Sequence, residues 1–407
     1  MSAAATTVQI AFNLAANGVG NWFTLDDPVK GVLDNTTYLY AGDVLVDVTS
    51  KVRKVQISRS RSRQQRKTNA ATCQIELDNR DRTFDPTYAS SPYYGSIIPR
   101  KQVQVTISGA YAFVGNVEDW DLSYDISGDS TTTAKCVDGF ALVANQTLSL
   151  GTATAQATGA RIGAYLTTLG WPMASRDIAT GQATLLGDVI TEGTNGLQYL
   201  QKVEASEGDG ALFVSRSGAM TFRDRSQTQS YSGVAFGTGG IPFTAIEVEY
   251  GTESLYTEAV VTRSNGTATV GTAVAGDLTS QASYGVTTLE VATLLADATQ
   301  ATDTANYLVG KYGQPRYTVK SLSIVTDALP ATQMGQLLSL ELSDLVLVTW
   351  TPNNVGTALS QYLAVDAITH DITPGVHVMQ LELSAQAVGF TLDSTIFGVL
   401  DEDIFGF

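Results

Sequence analysis

Hydrophobic and polar positions alternate strictly through residues 71–77, where Ala71, Cys73, Ile75 and Leu77 are separated by Thr72, Gln74 and Glu76. A period of two places the apolar set on one face of a strand and the polar set on the other. Residues 102–107 repeat the pattern, with Val103, Val105 and Ile107 inward. Similar runs lie near 44–48, 52–58, 113–120 and 131–137. The first third therefore predicts at least five short antiparallel strands, a barrel or sandwich. Between 77 and 102 runs a long connection built from turn formers: Asp78-Asn79, Asp85-Pro86, Ser91-Pro92 and Gly95.

The period then lengthens. In 157–169, Ile162, Tyr165, Leu166 and Leu169 share one helical face, and Gly170-Trp171-Pro172 ends the helix. A second helix is predicted from Asn195 to Gly208, with Leu197, Leu200 and Val203 inward. Residues 211–214 and 220–223 read as a small hairpin across Arg216-Ser217-Gly218. Strand patterns return at 243–250, 255–263, 317–325, 344–350, 362–372 and 376–384, the last two joined across Thr373-Pro374-Gly375. One helix, 299–312, interrupts them. The final run mixes Phe390, Phe397, Leu400, Phe405 and Phe407 with Asp393, Asp401, Glu402 and Asp403. Apolar side chains at that density call for docking, on the same domain or on a neighbour. The expected fold class is mainly β with an α+β insert: two antiparallel β-barrel or sandwich domains. The expected divisions are 1–150, 151–240, 241–389 and an apolar segment 390–407.

Composition narrows the function. Of 407 residues, 43% are hydrophobic and 16% charged, enough apolar material for packed cores. The net charge of −16 disfavours non-specific binding to nucleic acid or anionic membranes. The cations are unevenly placed. Lys51, Arg53, Lys54, Arg59, Arg61, Arg63, Arg66 and Lys67 fall in one run without an acid. Ser58, Ser60 and Ser62 alternate with Arg59, Arg61 and Arg63, so a strand there carries the three arginines on one face. That regularity favours a subunit interface over a solvated face, with Arg66, Tyr93 and Tyr94 joining it. Charge reversal at Arg59, Arg61 and Arg63 is then expected to block assembly and leave the monomer folded. Transient contact with DNA phosphates in a channel is the other use of such a face.

Catalytic signals are weak. His370 and His377 flank the Pro374-Gly375 turn, but a metal site needs at least a third ligand. No Gly-x-Ser-x-Gly elbow has a plausible base, and Gly237-Thr238-Gly239-Gly240 leads to Pro242 where a phosphate cradle needs a helix. Asp119-Trp120-Asp121 and Glu247-x-Glu249 are the only hints of glycan hydrolysis, and chance produces such triplets in acidic chains. We expect no catalytic residue, metal or cofactor. Cys73 and Cys136 read as buried free thiols. Residues 1–20 hold no basic region and no long apolar run, so no leader peptide or membrane anchor is expected and folding in a cytoplasm is.

The segment from Thr72 through Leu77, Asp78, Asn79, Arg80, Asp81, Arg82, Thr83, Phe84 and Asp85 to Pro86 resembles minor tail proteins of siphophages, especially those of actinobacteria. That family has an arginine-rich run, an alternating strand and a turn of the form L-x-N-x-D-x-x-F-D-P. A Ser-Pro-Tyr-Tyr-Gly-like loop follows, here Ser91-Pro92-Tyr93-Tyr94-Gly95. The hairpin around Pro374-Gly375 and the terminal Phe390-x-Leu392-Asp393-Ser394 and Phe397-Gly398-x-Leu400-Asp401 are similar to the family's closing segments. The resemblance implies a structural virion protein at the tail tip, assembled in the host cytoplasm. It implies a baseplate-type hub, a homotrimeric ring around the axial channel below the tail tube. Its partners would be the distal tail or tail tube protein, the tape measure protein and other minor tail or fibre proteins. A distal tail ring or receptor-binding protein is the alternative, and a tail-associated glycan hydrolase a weaker one. Within the motif Asp78, Asn79, Asp81, Asp85 and Pro86 would fix the loop, and Phe390, Phe397, Leu400, Phe405 and Phe407 would dock the C-terminal segment.

Overall fold

The computed structural model describes residues 5–12, 28, 45–62, 67–148, 151–190 and 192–386, with the backbone of 389–390 and 404–405. Among these the fold is mainly antiparallel β. The N-terminal lobe contains β1 (Thr6–Ala11), β2 (Leu45–Asp47), β3 (Val52–Ser62), β4 (Thr72–Asp78), β5 (Gln102–Ile107), β6 (Ala110–Ser123) and β7 (Thr131–Val137). Alternation decides which side chains turn inward: Cys73, Ile75 and Leu77 of β4 and Val103, Val105 and Ile107 of β5 are fully buried. Cys73 and Cys136 are free thiols directly opposite one another on β4 and β7.

A small α+β unit follows, with α1 (Thr158–Thr168), α2 (Gly196–Ser206) and the hairpin β8 (Ala211–Val214) to β9 (Met220–Arg223). Asn195 caps α2 by accepting a hydrogen bond from Gln198 N–H at 3.0 Å. The C-terminal lobe contains β10 (Tyr231–Gly237), β11 (Ala245–Tyr250), β12 (Glu258–Ser264), β13 (Thr269–Gly276), β14 (Thr288–Thr293), α3 (Ala298–Tyr312), β15 (Tyr317–Val325), α4 (Ala331–Ser339), β16 (Leu345–Trp350), β17 (Leu359–Thr373) and β18 (Val376–Ala385). Pro374 and Gly375 alone join β17 to β18, and Gly375 takes φ +87°, which the turn requires and side chains disfavour.

The two lobes share one continuous sheet, in the order β11-β15-β18-β17-β3-β4-β7-β6-β5-β1-β2. The junction is antiparallel pairing of β3 with β17, from Ser60 opposite Ala367 to Val55 opposite Ile372. The segment between β11 and β15 holds more than the strand (255–263) and the single helix expected there. Residues near 258–264 do not extend the main sheet; β12 pairs with β13 and β14 in a separate three-stranded sheet. α3 covers it, through a core of Ala259, Val261, Val291, Ala301, Ala305 and Leu308. Another apolar cluster runs unbroken from Phe140 through Phe213, Phe222 and Phe236 to Ile368 and Leu381, joining the α+β unit to the C-terminal lobe.

Candidate functional site

The loop after β4 is a ladder of tight turns. The N–H groups of Arg82, Asp85, Tyr88, Ser91 and Tyr94 each donate to the carbonyl three residues earlier, beginning at Asn79. Side chains lock the steps: Asn79 Oδ1 accepts from Phe84 N–H at 2.8 Å, Asp81 Oδ1 from Thr83 N–H at 3.1 Å, and Asp85 Oδ1 from Thr87 N–H at 2.8 Å. Asp78 Oδ1 accepts from Arg80 N–H at 3.1 Å. Pro86, exposed on the turn, has no N–H to satisfy. Phe84 is fully buried, and Tyr93 stacks on Phe12 with ring centroids 4.1 Å apart. Tyr93 thus packs on its own lobe, whereas Tyr94 projects with 56% of its surface exposed.

The acids of this loop meet the first half of the basic run. Lys51 Nζ lies 2.6 Å from Asp81, and Arg53 bridges Asp129 at 2.5 Å and Asp78 at 3.4 Å. The hydrogen bond from Arg80, seconded by Arg53, holds the Asp78 carboxyl well below the usual range. Lys54 pairs with Asp371 at 3.3 Å.

Arg59 and Arg61 correct the sequence expectation. They share a face of β3, but that face is covered by the chain's own α+β unit, leaving Arg59 3% and Arg61 4% exposed. Arg59 donates to Glu341 and, at 3.1 Å, to the Val214 carbonyl; Glu341 also accepts from Arg216 N–H. Arg61 Nε donates to Glu204 Oε1 at 3.2 Å, and its Nη2 to the Gly210 carbonyl. Glu204 in turn accepts from Leu212 N–H. These two arginines clamp α2 and the β8–β9 hairpin to the sheet, so neither can meet a neighbouring subunit or passing DNA. Five of the run's cations, Lys51, Arg53, Lys54, Arg59 and Arg61, are matched within the chain. Spacing alone gave their shared face but not what covers it. Arg63 and Arg66 lie outside the described residues, as do Phe397, Leu400, Phe407 and the side chains of Phe390 and Phe405. The backbone of Gly389–Phe390 pairs in parallel with Ile404–Phe405.

His370 and His377 meet with Nδ1 and Nε2 3.0 Å apart, and His377 Nδ1 contacts the Thr326 hydroxyl at 2.9 Å. Burial holds His370 down at about 3, with help from His377 and Arg59, and His377 at about 4. Among the described residues no three His, Cys, Asp or Glu side chains gather to hold a metal. No described helix is long and apolar enough to cross a membrane.

Of the carboxylate pairs, Asp119 and Asp121 are exposed on β6, and Asp121 is bound to Lys135 at 2.5 Å. Glu249 lines a cleft of about 480 Å³ with Glu253, Asp366 and Glu382, while Glu247 accepts from Ser321 outside its lining. Lys311, Arg316 and Lys320 share the cleft, which is therefore charge-mixed.

No protein-family model matches the chain, and no curated protein does. Solved structures do. The 43 kDa tail protein of prophage MuSo2 from Shewanella oneidensis superposes with a TM-score of 0.57 at 15% identity, over 85% of this chain and 95% of that one. The tail protein from Neisseria meningitidis MC58 matches with a TM-score of 0.57 at 10% identity, over 94% of this chain and 97% of that one. The chain has a tail-protein fold. That fold spans both lobes and the α+β unit, since nearly the whole of each chain is aligned.

Proposed function

We propose that this chain is a structural, non-catalytic protein of a bacteriophage tail, working as a hub at the tail tip of a siphophage. The observation that carries the reading is the end-to-end match of its fold to two tail proteins, 94% of this chain aligning with 97% of one of them. The shared sheet and buried clamps favour a rigid building block. In this role it forms a homotrimeric ring below the tail tube and connects the tube or distal ring, and the tape measure protein, to tip and fibre proteins. Tyr94 and the exposed turns around it are the part of the motif free to meet a neighbour.

Antibody labelling of intact particles tests the placement: label at the tail tip is expected, and label on the head or along the tube refutes it. Native mass measurement tests the ring. A trimer is expected, and a hexamer would move the chain to the distal tail ring.

A further inference from the structure

The two lobes carry the same five-stranded unit. In chain order, β3, β4, β5, β6 and β7 lie side by side as β3-β4-β7-β6-β5, and β11, β15, β16, β17 and β18 lie as β11-β15-β18-β17-β16. The match extends to the register. β6 shifts against β7 between Val117 and Asp119, and β17 shifts against β18 between Val365 and Ala367. Just before each shift, Asn116 opposes Gln102, the first residue of β5, and Ala364 opposes Leu345, the first of β16. Val55, Ile75, Ala134 and Trp120 form one row across the first unit, and Ile246, Leu322, Leu381 and Ile368 form the same row across the second. Trp120 of β6 therefore stands where Ile368 stands in β17, and Ile246 of β11 where Val55 stands in β3.

The β3–β17 junction joins the first strand of one unit to the long strand of the other. The complementary edges are open. Among the described residues β11 pairs only with β15, and residues 119–123 of β6 pair only with β7. The Trp120 N–H turns to its own Asp119 carboxylate, at 2.9 Å. An open edge is a template for another strand.

We infer that these two edges pair between copies, β11 of one chain against residues 119–124 of the next, in the register of the β3–β17 junction. Equivalent positions in that junction set Ile246 opposite Tyr124, Val248 opposite Leu122 and Tyr250 opposite Trp120 on one face. All are apolar or aromatic, and in the isolated chain Tyr250 keeps 71% and Tyr124 57% of its surface exposed. Cross-strand pairs of this kind stabilise a sheet. On the other face Glu247 opposes Ser123, whose hydroxyl can donate to it, and Glu249 opposes Asp121. Both of the facing acids already have a partner, Glu249 in Lys320 at 3.8 Å and Asp121 in Lys135 at 2.5 Å, so the contact brings no bare like charges together. A contact between two different edges runs head to tail, and such contacts make a ring when their rotation closes. The pairing rests on the ring proposed above and names the surface through which it closes.

The full-length chain carrying V248C and L122C is treated with a short bis-methanethiosulfonate cross-linker; the native thiols, Cys73 and Cys136, are buried. Covalent oligomers are expected on a non-reducing gel, since opposed Cβ atoms lie about 4.5–5.5 Å apart. E247C with L122C points the two thiols to opposite faces and should give at most about a tenth of that yield. V248K and L122E should each weaken assembly about tenfold or more, with the circular dichroism of the monomer unchanged, and together should restore it. A ring that forms without the V248C–L122C cross-link, equal yields from the two cysteine pairs, or undiminished assembly of V248K and L122E overturns the strand pairing and leaves the ring standing. A wild-type chain that is monomeric by native mass overturns both. Cross-linked rings of other than three copies would defeat the trimer alone.

Discussion

Arg61 sits in the interior with its charge matched, its side chain and that of Glu204 each 1% exposed. Removing one member of a buried ion pair costs about 3–5 kcal/mol, far more than a surface pair contributes. Arg61→Ala should therefore lower the urea midpoint of the isolated chain by an amount worth about 3 kcal/mol, while Lys54→Ala, which breaks an exposed pair, leaves it nearly unchanged. Similar effects from the two would contradict the clamp. Charge reversal at Arg59 and Arg61 should accordingly unfold the monomer before it affects assembly. The histidine pair adds a pH dependence. Both histidines titrate far lower in the folded chain, at about 3 and about 4, than in the unfolded one. Below about pH 6.5 the unfolded state takes up two protons that the native state refuses, so their contribution is lost as pH falls. Asp138 opposes this: burial raises it to about 6, so the folded chain takes up its proton first and acidification relieves a strain. For these three groups the difference between pH 6 and 4 is about one proton, on the order of 1.4 kcal/mol lost per pH unit, and carboxylates held low by hydrogen bonds and ion pairs, such as Asp78 and Asp85, add to the loss near pH 4. Asp138→Asn should steepen that slope and His370→Gln should flatten it, as read from denaturant midpoints across the window.

The turn ladder after β4 was legible in the sequence as a run of turns. Its docking on Phe12 was not, because residue 12 is distant in sequence and single strands do not announce their neighbours. The loop has two kinds of support. Asn79 closes its first turn with a buried hydrogen bond to Phe84 N–H, and Phe84 anchors it with a ring that is fully buried. Asn79→Ala should cost about 1–3 kcal/mol, and Phe84→Ala about 3–5 kcal/mol. Both should speed tryptic cleavage at Arg80 and Arg82 while the far-ultraviolet circular dichroism remains that of the wild type. Cleavage spread evenly over the chain would show that the loop is not a separate element but part of the global fold.

The whole molecule is held together by the β3–β17 ladder and by apolar clusters that pass between units. The core of the N-terminal lobe includes Met334 and Leu338 of α4 and Ile372 of β17, all from the distant C-terminal lobe. The second cluster passes from the α+β unit into that lobe. Units that share a sheet and share cores cannot unfold alone without exposing their neighbour's apolar surface. Calorimetry should therefore give one main transition for the chain, and proline at Thr369, opposite Ser58 in the ladder, should lower it as a single peak. Two well-separated transitions in the wild type would overturn this coupling.

Local periodicity determined much of the secondary structure. Alternation located β4, β5, β7 and β15, and the 3.6-residue stripe with Asn195 and Gly208 located α2. These signals are written in neighbouring residues, where side-chain direction follows from backbone geometry alone. The same rule put Arg59 and Arg61 on one face of β3. It could not say that Glu341 and Glu204, 282 and 143 residues away, would lie against that face. Nor could it place residues 258–264 in a sheet of their own rather than in the main one. Those decisions came from long-range pairing and burial. A charge in a strand becomes an external surface or an internal clamp only when the element that covers it is known, and that is fixed by the tertiary structure.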